Sequence, residues 1–145
     1  MNALALSLLG SSAAAGTLEA TFALRNSSST SCMLVGYPGA ELLDASGTPF
    51  ASAARGGTYS FTDFPSATVT LSEGQSAYFN VGYSDVPSGT EGTCPGSARI
   101  EVTPPNDFTQ LFSQFSATVC NGAFTVSPVF GAGSPYTQTT APPEP

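Results

Sequence analysis

In residues 17–25 every second side chain is apolar: Leu18, Ala20, Phe22 and Leu24 point one way, and Thr17, Glu19, Thr21, Ala23 and Arg25 the other. A period of two marks a half-buried strand, because successive side chains of extended chain alternate between faces. The signal recurs at residues 68–71, 77–83, 98–102, 117–119 and 123–129, with Ala98, Ile100 and Val102 on one side of the fourth run. Polar turns and Gly/Pro-rich loops separate these runs, and Pro104-Pro105 ends a ladder because proline offers no donor. No stretch carries a convincing helical period. About seven or eight short strands, with turn signals roughly every 8–12 residues, indicate an all-β fold, an immunoglobulin-like antiparallel β-sandwich; a small barrel is the alternative. Residues 45–65, rich in Gly, Ser and Pro, read as loop, with Tyr59, Phe61 and Phe64 packing one edge of the core.

Residues 32–47 sharpen this outline. They run from Cys32 through Met33, Leu34 and Val35 to Gly36, Tyr37, Pro38 and Gly39, then through Ala40, Glu41, Leu42 and Leu43 to a polar turn at Asp44–Gly47. Pro38 fixes its own φ and holds Tyr37 extended, and Gly39 is expected to supply the positive φ of a type II turn. Tyr37, Pro38 and Gly39 thus form a structural corner. The segment resembles the hallmark of the bacterial secreted proteins grouped as domain of unknown function 4232. In these, an Asn-Ser segment leads into Cys-x-Leu-x-Gly-Tyr-Pro-Gly and then a Leu-Asp-x-x-Gly turn. The resemblance extends from about Leu4 to Val129, with support from Cys94 and Val102-Thr103-Pro104-Pro105, and from Cys120 and Pro128-Val129. It implies a fold and a secreted or cell-envelope location, and no activity. Similar proteins often carry a further cysteine just before the segment that matches residues 3–9. Met1 stands in that region, so the expectation is a trimmed or differently started domain in which Cys32 has lost its partner.

A chain of 145 residues suits one domain, residues 1–130, followed by a Pro/Thr-rich tail, residues 131–145, with the composition of a linker or a glycosylated, wall-spanning spacer. Charged residues are only 9%, and 20 Ser and 17 Thr take their place on the surface. The net charge is −7, with no Lys and with Arg25, Arg55 and Arg99 scattered. That distribution excludes a nucleic-acid backbone and an anionic membrane surface as partners, and no apolar run is long enough to cross a bilayer. At the N-terminus Leu4, Leu6 and Leu8 alternate with small residues, which favours a strand over the signal-peptide reading of the same stretch. Three cysteines leave at least one thiol unpaired; the pairing favoured is Cys94 with Cys120, each bordering a strand, with Cys32 left over.

Little in the chain points to catalysis. Histidine is absent, and with it the commonest general base. Carboxylate-pair chemistry requires two of Glu19, Glu41, Asp44, Asp63, Glu73, Asp85, Glu91, Glu101 and Asp107 in one cleft. Calcium would need Asp85, Glu91 and Asp107 to converge at one end of the sandwich. Tyr37, Tyr59, Tyr78, Tyr83 and Tyr136 are the candidates for a sugar-binding face. Asn26-Ser27-Ser28 matches the N-glycosylation pattern. The expectation is a non-enzymatic module with no catalytic residue, metal or cofactor, in a binding or spacer role toward an unknown protein or cell-wall ligand. The alternative is a structural subunit of an extracellular assembly. The absence of the lysines that usually guard sheet edges favours self-association; Phe108, Leu111, Phe112 and Phe115 read as core residues, with an edge or face used for assembly as the alternative.

Overall fold

The structure, a computed structural model, describes residues 3–14, 17–57, 59, 61–87, 92–105, 107, 109–120 and 122–132. Most of the expected tail lies outside them, as do Glu91, Phe108 and Tyr136. The described chain forms eleven strands and no helix: β1 (Leu4–Ala14), β2 (Thr17–Asn26), β3 (Cys32–Leu34), β4 (Gly39–Leu43), β5 (Pro49–Ser52), β6 (Ala54–Arg55), β7 (Val69–Leu71), β8 (Ser76–Ser84), β9 (Arg99–Thr103), β10 (Leu111–Gln114) and β11 (Phe124–Val126). They assemble into a five-stranded sheet, β1-β2-β8-β11-β6, a four-stranded sheet, β10-β9-β4-β5, and a two-stranded ribbon, β3-β7. Every ladder is antiparallel except that of β6 with β11.

The two larger sheets bury a shared core. Ala20, Phe22 and Leu24 of β2, Phe79 and Val81 of β8 and Phe124 and Val126 of β11 meet Leu42 of β4 and Ile100 and Val102 of β9. Phe22 stacks on Phe79 with centroids 5.5 Å apart and receives the edge of Phe115 at 5.1 Å. The fold is therefore an all-β sandwich.

Three local readings change. Eleven strands replace seven or eight, because β5 and β6 fall within residues 45–65, where composition predicts loop. Such short edge strands take their pairing from neighbours rather than from their own pattern. The corner also moves. Gly36, at φ 101°, makes the bend, while Gly39 lacks a positive φ and opens β4 opposite Thr103. Tyr37 and Pro38 are thus an extended lead-in to β4, and the Gly36 carbonyl is held by the Val129 N–H at 2.9 Å.

The third change concerns the second face of β2. Thr21 is fully buried and Ala23 nearly so, because the chain folds a further layer over the outside of the five-stranded sheet. Residues 127–130 extend β11 along β8, and Tyr78 and Phe130 exchange main-chain bonds of 2.9 and 2.8 Å. Beneath this layer the Thr21 hydroxyl donates to Asn80 Oδ1 (2.6 Å), Asn80 Nδ2 donates to the Phe61 carbonyl (2.8 Å), and the Asn80 N–H donates to Ser127 Oγ (2.9 Å). Buried polar groups are tolerated only when so paired.

Asn80→Ala removes the acceptor that Asn80 Oδ1 offers the Thr21 hydroxyl and the donor that its Nδ2 offers the Phe61 carbonyl. It is expected to lower unfolding free energy by about 2–4 kcal/mol, measurable by urea denaturation, whereas Thr70→Ala at an exposed position should change it little.

Candidate functional site

Three surfaces bring chemically capable side chains together. The first is the outer face of the five-stranded sheet. Gly82 lies toward the C-terminal end of β8, and a Cβ there would stand 2.6 Å from Tyr59 and 2.7 Å from Phe61. Those rings stack face to face, 4.9 Å apart and 5° from parallel, with their edges on the glycine. Directly across the ladder from Gly82 is Glu19, whose neighbour on the other side is Ser12. Ser12 Oγ donates to Glu19 Oε1 at 3.3 Å, while Oε2 is buried with no hydrogen-bond partner among the described residues. Burial raises the Glu19 carboxyl above its ordinary value, opposed in part by the Ser12 bond.

The second surface is the outer face of the four-stranded sheet. Glu41 and Glu101 stand directly opposite each other on β4 and β9, with Ser52 and Phe112 flanking them on β5 and β10. Ser52 Oγ donates to Glu41 Oε2 at 2.8 Å. Arg99 lies over the Phe112 ring, 5.3 Å from its centroid, and Phe112 is 49% exposed. Facing carboxylates repel. Both glutamates are half-buried on that face. The third surface is a groove of about 410 Å³ bounded by Val69, Leu71, Gln75, Tyr78, Gly131 and Ala132.

The other sequence candidates disperse. Tyr37 packs beneath the Arg55 guanidinium at 5.7 Å, Tyr59 stands over Gly82, Tyr78 lines the groove, and Tyr83 is buried against the edge of Phe115. Burial, then the charge of Asp85, raises the Tyr83 phenol. Among the described residues no three Asp, Glu or Cys side chains gather as a metal site; Glu91 of the calcium set lies outside them. Asn26 is fully buried, and its Nδ2 donates to the carbonyls of Thr30 (2.9 Å) and Leu71 (3.1 Å). The Asn26 amide is thereby a structural clasp between β2 and the β3-β7 ribbon, and folding hides it from glycosylation.

Asp44 likewise proves to be a turn residue. Its Oδ1 accepts from the Ser46 N–H (2.9 Å), the Ser46 hydroxyl (2.7 Å) and the Thr48 N–H (3.0 Å), closing the β4–β5 hairpin around Gly47 at φ 86°. The Ser46 hydroxyl, then the Thr48 N–H, hold its carboxyl below the ordinary value. Cys94 and Cys120 form a disulfide, and Cys32 is free and half-buried on β3. Of these features only the Tyr59–Phe61 cover was open to a closer sequence reading: a glycine inside a strand signals the close approach of another group.

These observations define a class: a disulfide-bonded, all-β sandwich domain whose hallmark residues serve the fold. The family follows from the sequence itself. Residues 1–130 match the family described as Domain of unknown function (DUF4232), and the chain belongs to it. No curated protein and no solved structure matches the chain.

Two pH predictions follow from the carboxyls. Asp44 has a lowered folded pKa, so its contribution is complete above the unfolded value and is lost as pH falls through the folded one. The stability gap between the wild type and Asp44→Ala should be constant above about pH 5 and close in stronger acid. Glu19 has a raised folded pKa, so its ionisation opposes folding at neutral pH. Glu19→Gln should melt higher than wild type at pH 7, and the difference should vanish below pH 4.5, the carboxyl's ordinary value. Thermal melts across pH check both.

Proposed function

We propose that this chain is a non-enzymatic extracellular or cell-envelope module of immunoglobulin-like architecture, acting as a binding or spacer domain toward a protein or cell-wall ligand. The observation that carries the reading is the disulfide between Cys94 and Cys120, 26 residues apart, with Cys120 fully buried. Such bonds persist in oxidising compartments and are rare in the cytosol. The strand order supports the architecture: β1-β2-β8 and β10-β9-β4-β5 follow the A-B-E and G-F-C-C′ orders of immunoglobulin domains, with β11 and β6 beyond the E position. The use of Gly36, Asp44 and Asn26 in bend, turn and clasp supports a structural role for the family hallmark. A second reading, a subunit of an extracellular assembly, is favoured by β1, which ends the five-stranded sheet among the described residues.

Fractionation of the native host with alkylation of free thiols and mass spectrometry tests the compartment. The expected result is protein in the envelope or medium with Cys94 and Cys120 protected from alkylation; cytosolic protein with both thiols alkylated would overturn the reading. Cys94→Ser/Cys120→Ser should cost roughly 3–4 kcal/mol of stability, since the bond closes a loop of intermediate length. Chemical denaturation measures that loss.

A further inference from the structure

We propose that β1 is a self-recognition edge, at which two copies of this chain join their five-stranded sheets into one continuous sheet through antiparallel, two-fold pairing centred on Leu6. The proposal goes beyond the module reading and does not depend on its compartment.

Among the described residues β1 pairs with β2 alone, and it ends the five-stranded sheet. The register shows which main-chain groups face outward. Leu4 opposes Asn26, so Ala3 opposes Ser27, and the Ser27 N–H donates to the Ala3 carbonyl at 2.8 Å. Hydrogen-bonded pairs alternate along an antiparallel ladder. Ala5–Arg25 and Ser7–Ala23 are therefore bonded pairs as well, and the N–H and C=O groups of Leu4, Leu6 and Leu8 point away from β2. The next ladder agrees: the Asn26 N–H donates to the Gln75 carbonyl at 2.8 Å, so the even residues of β2 face β8 and its odd residues face β1.

Residues 4–8 read Leu-Ala-Leu-Ser-Leu, nearly the same in both directions. A two-fold axis at Leu6 places Leu4 against Leu8 of the second copy, Leu6 against its counterpart, and Leu8 against Leu4. These three pairs exchange about six main-chain hydrogen bonds. On the core-facing side Leu4 and Leu6 are packed against the core, but Leu8 is 43% exposed; the second copy's Leu4 covers it. On the other side Ala5 faces Ser7 of the second copy, both small and exposed.

Charge also favours a second copy. The chain carries −7, yet Leu4–Ala14 holds no charged residue, so the pairing sets no like charges opposite each other. Edge strands are ordinarily blunted by lysine, proline or a bulge. β1 has only the bulge, and the register shift between Leu8 and Gly10 places it just beyond the palindrome. It ends the pairing instead of preventing it. Isologous contacts of this kind close as dimers.

Sedimentation equilibrium from about 1 μM to about 1 mM, a range suited to an interface of modest area, tests the proposal. The wild type is expected to show a reversible monomer–dimer equilibrium. Ala5→Glu/Ser7→Glu sets two symmetric pairs of like charges across the axis and should weaken dimerisation about tenfold or more, with the monomer's melting temperature preserved because both positions are exposed. Ala5→Lys/Ser7→Glu sets opposite charges there and should restore it. Hydrogen exchange should protect the Leu4, Leu6 and Leu8 amides only at dimer concentrations. A monomer across the range, a dimer insensitive to Ala5→Glu/Ser7→Glu, or protection of those amides in the monomer overturns the proposal.

Discussion

The ladder between β2 and β8, from Thr17 opposite Ser84 to Arg25 opposite Ser76, organises both sides of this protein. Its inner face supplies Phe22 and Phe79, whose stacked rings anchor the core shared with the four-stranded sheet. Its outer face supplies Thr21 and Asn80, whose paired polar groups receive the second layer formed by residues 61–64 and 127–130. Burying a strand pair on both faces imposes a strict condition, because every polar atom between them must find a partner. Asn80 meets that condition with its side chain and backbone together.

The same layering separates the side chains that could carry chemistry. Glu19 stands beside the Tyr59–Phe61 pair on one outer face, and Glu41 and Glu101 face each other on the opposite sheet. Apart from Glu41, the hallmark segment at residues 32–47 is spent on geometry. Gly36 bends the chain, Pro38 is buried, and Asp44 closes the hairpin through three bonds to one carboxylate oxygen. A motif can be distinctive because the backbone needs it, without any ligand.

Local periodicity made β2, β8 and β9 legible, since their alternation exceeds any competing signal. β5 and β6 were not legible: Pro49–Ser52 and Ala54–Arg55 are too short to show a period, and they exist as strands only because β4 and β11 offer ladders to join. The turn glycine was misplaced for a related reason. Gly36 and Gly39 are equally free to adopt positive φ, and the choice fell to Gly36 because Gly39 is held in register opposite Thr103. Asn26 illustrates the converse. Its sequon is plain in the chain, but its burial depends on the arrival of Thr30 and Leu71 from outside β2.

By itself the sequence determined the class of fold, the acidic and lysine-free surface and the family, because alternation, turn chemistry and composition are properties of short stretches. The tertiary structure decided which faces are buried twice, that Gly82 lies opposite Glu19 and under an aromatic pair, that Glu41 faces Glu101, and that the palindrome at Leu4–Leu8 points the main-chain groups of its leucines outward. Those outcomes depend on register between strands far apart in the chain. Register is set only when the cores and ladders form together.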